Sequence, residues 1–199
     1  YYTGQNQQGD IVYEDENLLS ELDLFPSINL IYGLKEMSNL RFSLSRTIAR
    51  PSFKEKSIAQ IFDPVTSTTF IGNIDILPTK ILNYDLRWEL FQEDAQMYAI
   101  SLFYKDFTNP IELVVYNGAS PNDYTPKNVD EAKVYGIELE FRKNLEFISE
   151  SLSNFKLTFN TSIIRSEEIM DEKEYEGRTK SARSGEVVSR KRELQGQSP

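Results

Sequence analysis

Residues 81–91 read ILNYDLRWELF, and this stretch decides how the protein must be built. Side chains alternate between the two faces of a β-strand, so Leu86 and Trp88 share one face while Asp85 and Arg87 share the other. The stretch therefore predicts a strand with one apolar face and one charged face. An apolar face of this kind either packs on the core of a soluble sheet or meets lipid in a membrane-spanning barrel.

The composition excludes several classes of function. The chain of 199 residues has no cysteine and no histidine, which removes thiol nucleophiles, thiolate zinc sites, disulfides and imidazole bases. The net charge of -9 is opposite in sign to the basic surface that nucleic-acid binding requires. We therefore expect no nucleic-acid partner, no cofactor and no metal site.

The two-residue alternation recurs in five further stretches of the chain. With a short seventh strand, they predict an all-β antiparallel meander of about seven strands, at roughly residues 26–34, 39–50, 80–91, 96–107, 132–143, 155–165 and 187–194. Each apolar row has about the length of one tilted strand crossing of a bilayer. The sequence has no apolar run of about 18 residues, so we expect no transmembrane helix.

The alternation also assigns individual side chains to a face. We predict that the polar rows face a hydrated lumen, with Asp85, Arg87, Glu89, Glu138, Glu140 and Arg142 as candidates. We predict that the apolar rows face lipid, with Leu82, Tyr84, Leu86, Trp88, Ile100, Leu102, Ile137, Leu139 and Phe141 as candidates. Tyr and Trp stand at the ends of these apolar rows, as they do in the interfacial girdles of membrane barrels.

The connections between the predicted strands alternate in length. Short turns follow residues 34 and 91, whereas long polar segments occupy residues 51–79, 108–131 and 166–186. Short turns at one end of a sheet and long loops at the other are typical of an outer-membrane β-barrel. The pattern predicts that these strands form part of a large transmembrane barrel.

A soluble β-sandwich alternates in the same way, and a surface binding or adhesion module of that fold is the alternative interpretation. Three features favour the barrel. They are the aromatic residues at the ends of the apolar rows, the opposed charges in the middle of the polar rows, and the long loops. Loops longer than about 12 to 15 residues are uncommon unless they carry a function.

The charged residues do not predict an enzyme. Glu138 and Glu140 point the same way along one strand, whereas glycosidic cleavage requires two carboxylates on opposite sides of the bond. We expect no catalytic residues here, and a hydrated wall whose charges pair between strands. The acidic stretch at residues 166–177 and the basic stretch after it predict a solvated loop. Contact with substrate or with a companion lipoprotein is the alternative for that loop.

Several motifs resemble, in order and spacing, the late barrel portion of TonB-dependent outer-membrane receptors, particularly those of the Bacteroides type. The resemblance runs from about Leu24 to Ile164. It is carried by RPSF at residues 50–53, GNIDILP at residues 72–78, YKDFTNPIE at residues 104–112 and YGIE at residues 135–138. Ile74 and Ile76 depart from the family pattern, which has Pro and a polar residue at these positions.

The resemblance implies a barrel of about 22 strands, plugged by an N-terminal domain, in the outer membrane of a Gram-negative bacterium. It implies active uptake of a scarce nutrient. The implied partners are the TonB energy-transducing complex, contacted through the plug, a nutrient ligand, outer-membrane lipid and a surface lipoprotein. The plug domain is absent from residues 1–199, so we expect a piece of a longer receptor. Without lipid, we expect this strip to self-associate or to curl its apolar face inward.

Overall fold

The structure, a computed structural model, describes residues 2–5, 12–18, 20–116, 123–170 and 172–194. Within these ranges the strands are β1 (Tyr2–Gln5), β2 (Val12–Glu16), β3 (Ser27–Lys35), β4 (Ser38–Ala49), β5 (Gln60–Asp63), β6 (Thr68–Ile71), β7 (Thr79–Phe91), β8 (Met97–Thr108), β9 (Ile111–Val115), β10 (Tyr124–Asn128), β11 (Glu131–Asn144), β12 (Lys156–Ile169) and β13 (Lys191–Arg192). One α-helix, α1, spans Glu172–Ser181.

The large sheet confirms the predicted antiparallel meander of seven strands. Its order is β13-β12-β11-β8-β7-β4-β3, so each strand lies beside its nearest neighbour in sequence among the strands of this sheet. The register is continuous: Phe42 lies opposite Leu86, Leu86 opposite Leu102, Leu102 opposite Ile137, and Ile137 opposite Ile163. Residues that lie opposite one another in a sheet share a face, so the apolar rows merge into one continuous surface.

The predicted difference between the two ends of the sheet is also confirmed. The connections from β3 to β4 and from β7 to β8 are short, and the connection from β11 to β12 holds two single 3-10 turns, Leu145–Phe147 and Glu150–Leu152. The long connections all leave the opposite end. We call the end of the sheet that carries the short connections the turn end, and the end that carries the long connections the loop end.

Two strands differ in extent from the sequence prediction. β12 continues past residue 165 to Ile169, because its pairing with β11 persists as far as Glu168 opposite Ala132. The seventh strand, predicted at 187–194, contains only Lys191 and Arg192, which pair with the last residues of β12. A strand can extend only as far as its neighbour offers backbone partners.

The long connections are not the irregular loops that the sequence predicted. The segment 51–79 contains β5 and β6, and the segment 108–131 contains β9 and β10. Together they form a second sheet in the order β5-β6-β10-β9. β6 and β10 run parallel, with Phe70 opposite Tyr124, while residues 117–122 of the predicted loop lie outside the described residues. We call this four-stranded sheet the loop platform.

Buried apolar side chains lie in the loop platform and beside it, as well as on the large sheet, where Ala99 and Ala132 are buried. Ile76 is 1% exposed, and Phe70 and Val129 are also buried. Lys56 Nζ donates to the backbone oxygens of Ile74 and Ile76 at 3.0 and 2.8 Å, which closes the loop around the buried side chain. Ile76, a departure from the family pattern, is therefore a core residue of the platform.

The expected inward curl of the apolar face is wrong. Leu86, Ile100 and Leu102 remain 38%, 41% and 47% exposed, and no second layer of the described residues covers them. The strands of the large sheet pair along most of their length, so the side chains of this face contact their neighbours within the sheet and not a second layer. Self-association through this face stays a prediction.

Helix α1 replaces part of the loop predicted at residues 166–186. Its charges are paired along the helix, with Arg178 2.9 Å from Glu174 and Lys180 3.2 Å from Glu176. Such pairs one helical turn apart stabilise an exposed helix by a few tenths of a kcal/mol each. In the described part of the chain, no helix combines the length and the apolar character needed to cross a membrane.

Gly136 in β11 makes room for an aromatic ring from β8. A Cβ atom at Gly136 would lie 2.5 Å from the backbone oxygen of Ile163 and 2.7 Å from Cζ of Phe103, its neighbour across the ladder. Both distances are too short for a real side chain. The glycine therefore lets the Phe103 ring lie over the backbone on the polar face.

Gly136→Ala should lower the stability of the receptor that contains this chain. We expect a loss of about 1–3 kcal/mol, because the added methyl group must displace backbone or ring. The measurement is denaturant unfolding of the full-length receptor in lipid vesicles. Gly33→Ala is the matched control in β3, since its nearest contact would be 4.0 Å away, at Asn39. Equal losses for the two variants would contradict this explanation of Gly136.

Candidate functional site

Charged side chains from three strands meet on the polar face of the large sheet. Arg41 Nε of β4 donates to Oε1 of Glu89 at 2.5 Å, and Arg87 Nε of β7 donates to Oε2 of Glu89 at 3.2 Å. Arg87 Nη2 donates to Oε2 of Glu140 on β11 at 2.9 Å, and Arg142 Nη2 lies 3.7 Å from Oε1 of Glu140. The signs alternate along these five residues, which we call the ion-pair ladder.

Glu89 is the deepest member of the ion-pair ladder. It is 4% exposed, whereas the side chains of Arg41 and Arg87 are 44% and 31% exposed. Each of its carboxylate oxygens accepts a hydrogen bond from a different guanidinium group. A buried carboxylate without such partners would cost several kcal/mol in lost hydration. The two arginines therefore stabilise the nearly buried carboxylate of Glu89 on the polar face of the sheet.

The sequence predicted four of the five ladder residues and missed Arg41. Arg87, Glu89, Glu140 and Arg142 were all predicted to lie on this face. The alternation of β4 places Arg41 on its polar row, but Arg41 was not among the predicted candidates. What the pattern does not show is that Arg41 reaches one strand across to Glu89.

Asp85 and Glu138 share the polar face but stand outside the ion-pair ladder. They line a depression of about 500 Å³, nearer the loop end, together with Arg87. The remaining side chains of its lining are Ser101, Phe103, Lys105, Phe107, Val134 and Ile164. Asp85 and Glu138 are both exposed. This part of the face combines aromatic and aliphatic groups with a few charges, as ligand-binding surfaces do.

The nine predicted lipid-facing side chains all lie on the opposite face of the sheet. Eight of them fall into four apolar rows, bounded by Tyr84 at the loop end and by Phe141 at the turn end. Leu82 lies one row further out, where its neighbours are Arg46 and Asp106. Charges on this face begin in the row of Tyr84, where Arg165 lies opposite Tyr135, and they continue in the row of Leu82, so the apolar band ends at the row of Tyr84.

Aromatic pairs mark both ends of the apolar band. The rings of Tyr84 and Tyr104 lie 6.0 Å apart at the loop end, and those of Tyr98 and Phe141 lie 5.4 Å apart at the turn end. Trp88 Nε1 donates to Ser38 Oγ at 3.1 Å, which satisfies its only polar group near the turn end. Amphipathic rings at the two borders of an apolar band are typical of membrane-spanning barrels.

These features define a class of protein: a membrane β-barrel whose wall separates lipid from a hydrated interior. Residues 2–185 match the family described as TonB dependent receptor-like, beta-barrel. The chain belongs to this family, whose members are transport receptors of the Gram-negative outer membrane rather than enzymes. The description of the family ties its receptors to the TonB protein.

Solved structures with the same fold include two receptors from Pseudomonas aeruginosa. The ferric enterobactin receptor PfeA, in complex with enterobactin, is 21% identical over 70% of this chain, with a TM-score of 0.55. The siderophore receptor PirA is 16% identical over 73% of this chain, with a TM-score of 0.54. This chain spans 22% and 30% of the length of those two chains. A comparison with curated protein sequences gave no significant match.

Glu89→Gln should weaken the wall of the barrel. The substitution removes the carboxylate charge that Arg41 and Arg87 share. We expect the free energy of unfolding to fall by about 1–3 kcal/mol. The loss is smaller than for a fully buried ion pair, because both arginines are partly exposed to solvent. The measurement is equilibrium unfolding in lipid vesicles.

Glu138→Gln is the control for this change. Glu138 lies on the same face and has no ion pair within the described ranges, so its substitution should cost no more than about 0.5 kcal/mol. If Glu89→Gln and Glu138→Gln lowered the free energy of unfolding equally, the ion-pair ladder would not be a stabilising network.

Proposed function

We propose that this chain forms part of the barrel wall and the extracellular loops of an outer-membrane receptor that imports a scarce nutrient with energy from TonB. The observation that carries this proposal is the two-sided sheet. One face is apolar across six strands and bounded by aromatic rings, and the other holds the ion-pair ladder. In the receptor the first face meets outer-membrane lipid and the second lines the lumen beside the plug.

The same observation disfavours a soluble β-sandwich. A sandwich buries the apolar face of one sheet against a second sheet about 10 Å away. In the described parts of this chain, the loop platform is the only other sheet of more than two strands, and it leaves the Leu86 face uncovered. An exposed apolar surface of this size requires a lipid or protein partner.

The loop platform is the part of the chain that we propose to lie outside the cell. Short turns face the periplasm in barrels of this kind, and long loops face the medium. The resemblance at residues 50–53 and 72–78 supports assignment to the Bacteroides type. A companion lipoprotein gains no support from α1, because the acidic residues Glu172, Glu174 and Glu176 all pair with basic groups of this chain.

Uptake by cells tests the proposed function. A strain that lacks the full-length receptor should lose growth on one class of nutrient, and the receptor should restore it only when TonB is present. The panel comprises ferric siderophores, cobalamin, glycans and peptides, and siderophores come first because the two solved receptors are named for such ligands. Restoration that is independent of TonB would refute active import.

Leu86→Arg tests the face assignment separately from transport. Near the middle of the bilayer this change should cost about 2–4 kcal/mol in a membrane-folding assay, because a guanidinium group enters hydrocarbon. Asp85→Arg is the matched control, since Asp85 is the adjacent residue and points to the proposed lumen. It should change the folding free energy by about 0.5 kcal/mol or less. Equal costs would show that the faces are wrongly assigned.

A further inference from the structure

Charged side chains border the apolar band at the loop end of the large sheet, on the same face as the band. In the border row, Arg165 of β12 lies opposite Tyr135 of β11. Two further rows follow towards the loops. Their charged members are Arg46, Asp106, Lys133 and Glu167 in the first row, and Lys80, Glu131 and Lys191 in the second. We call the five cations of these rows, Arg46, Lys80, Lys133, Arg165 and Lys191, the basic rim.

Positive charge predominates at the basic rim, although the chain as a whole is acidic. Among the described residues of these three rows, the five cations stand against three acids, Asp106, Glu131 and Glu167. The net charge of the whole chain is -9. Further out, Arg50 and Asp23 lie 3.4 Å apart and compensate each other. The excess of positive charge is therefore confined to the border of the apolar band.

The acids of these rows do not compensate the cations evenly. Glu167 lies 2.8 Å from Lys191 and accepts a hydrogen bond from Tyr135 Oη at 3.3 Å. Asp106 lies directly opposite Lys133. Glu131 lies opposite Thr108 and is exposed. By contrast, the side chains of three cations make no hydrogen bond or ion pair with any residue that the structure describes; these are Arg46, Lys80 and Arg165.

Two of these three cations are neighbours. Arg46 of β4 lies opposite Leu82 of β7, and Lys80 is two residues from Leu82 on the same face. Diagonal neighbours of this kind lie within reach of each other's long side chains. Two like charges in this arrangement repel, and an anion shared between them removes the repulsion. A guanidinium group beside an ammonium group offers hydrogen-bond donors and charge that suit a phosphate.

The position of Arg46 and Lys80 indicates where such an anion comes from. Their rows lie about 7 and 14 Å beyond the border row of Tyr84, at two residues a row. Where the apolar band meets lipid, this is the level of the polar headgroups. Long basic side chains bury their stems along apolar surface and extend their charges to this level. The site is on the opposite face from the proposed lumen, so it does not line the path of an imported nutrient.

We propose that Arg46 and Lys80 bind the phosphate of an anionic lipid headgroup in the leaflet next to the loop end. This inference rests on the proposed function, because it requires the apolar band to lie in a bilayer. Arg165 extends the same attraction to headgroups beside β12. The segment 51–79 connects the strands that carry Arg46 and Lys80, so the bound lipid lies at the base of the loop platform.

Lipid binding to the full-length receptor in detergent tests the proposal. Native mass spectrometry compares the affinity for phosphatidylglycerol with that for phosphatidylcholine carrying the same acyl chains. A basic side chain near an anionic headgroup contributes enough free energy to change its affinity about fivefold. Arg46→Gln and Lys80→Gln should therefore each lower the affinity for phosphatidylglycerol about fivefold. The affinity for phosphatidylcholine should not change, which verifies that the variants remain folded.

Lys105→Gln is the matched control. Lys105 precedes Asp106 in β8 and lies at the same height, but its neighbours Asn83 and Val134 belong to the opposite face. Its substitution removes one positive charge from the lumen side, so the preference for phosphatidylglycerol should stay at the wild-type value. Inorganic phosphate at the concentration of the lipid should not displace phosphatidylglycerol, because it lacks the acyl chains that the apolar band contacts.

Three results would overturn the headgroup site and leave the proposed receptor function intact. They are equal affinity of the wild type for the two lipids, an unchanged preference in the double variant Arg46→Gln with Lys80→Gln, and displacement of the lipid by inorganic phosphate. Insertion of the full-length receptor into vesicles of phosphatidylcholine alone tests the barrel itself. A protein that failed to insert there would refute both the membrane barrel and the lipid site.

Discussion

Hydrogen bonding between neighbouring strands is the constraint on which the rest of this structure depends. The ladder is continuous from β4 to β12, and every apolar row and every charged row follows from its register. A slip of one residue would exchange the Leu86 face with the Arg87 face along a whole strand. The pairing register therefore determines which side chains share each face of the large sheet.

The ion-pair ladder offsets the cost of placing carboxylates against the sheet. It sets three guanidinium groups against two carboxylates, so each acid has a permanent cation beside it. A network of this kind is suited to a wall that keeps its shape.

The sequence predicted the strands and their faces because alternation is a local signal. The placement of Trp88 and Arg87 on opposite faces needs only their neighbours in the chain. Other features depend on partners that the local pattern cannot identify. The contact of Arg41 with Glu89 joins residues 48 positions apart, and the parallel pairing of Phe70 with Tyr124 builds a sheet from segments that each read as loop. The short β13 likewise reflects where its partner strand ends.

The parallel pairing of β6 with β10 limits how the loop end of this chain can be varied. Recombination or loop grafting usually treats each surface loop as a separate cassette. Here the segments 51–79 and 108–131 share one small sheet, and Ile76 is part of its packing. A chimaera that exchanged one segment alone would leave a strand of the other without its partner, so the two segments should be exchanged together.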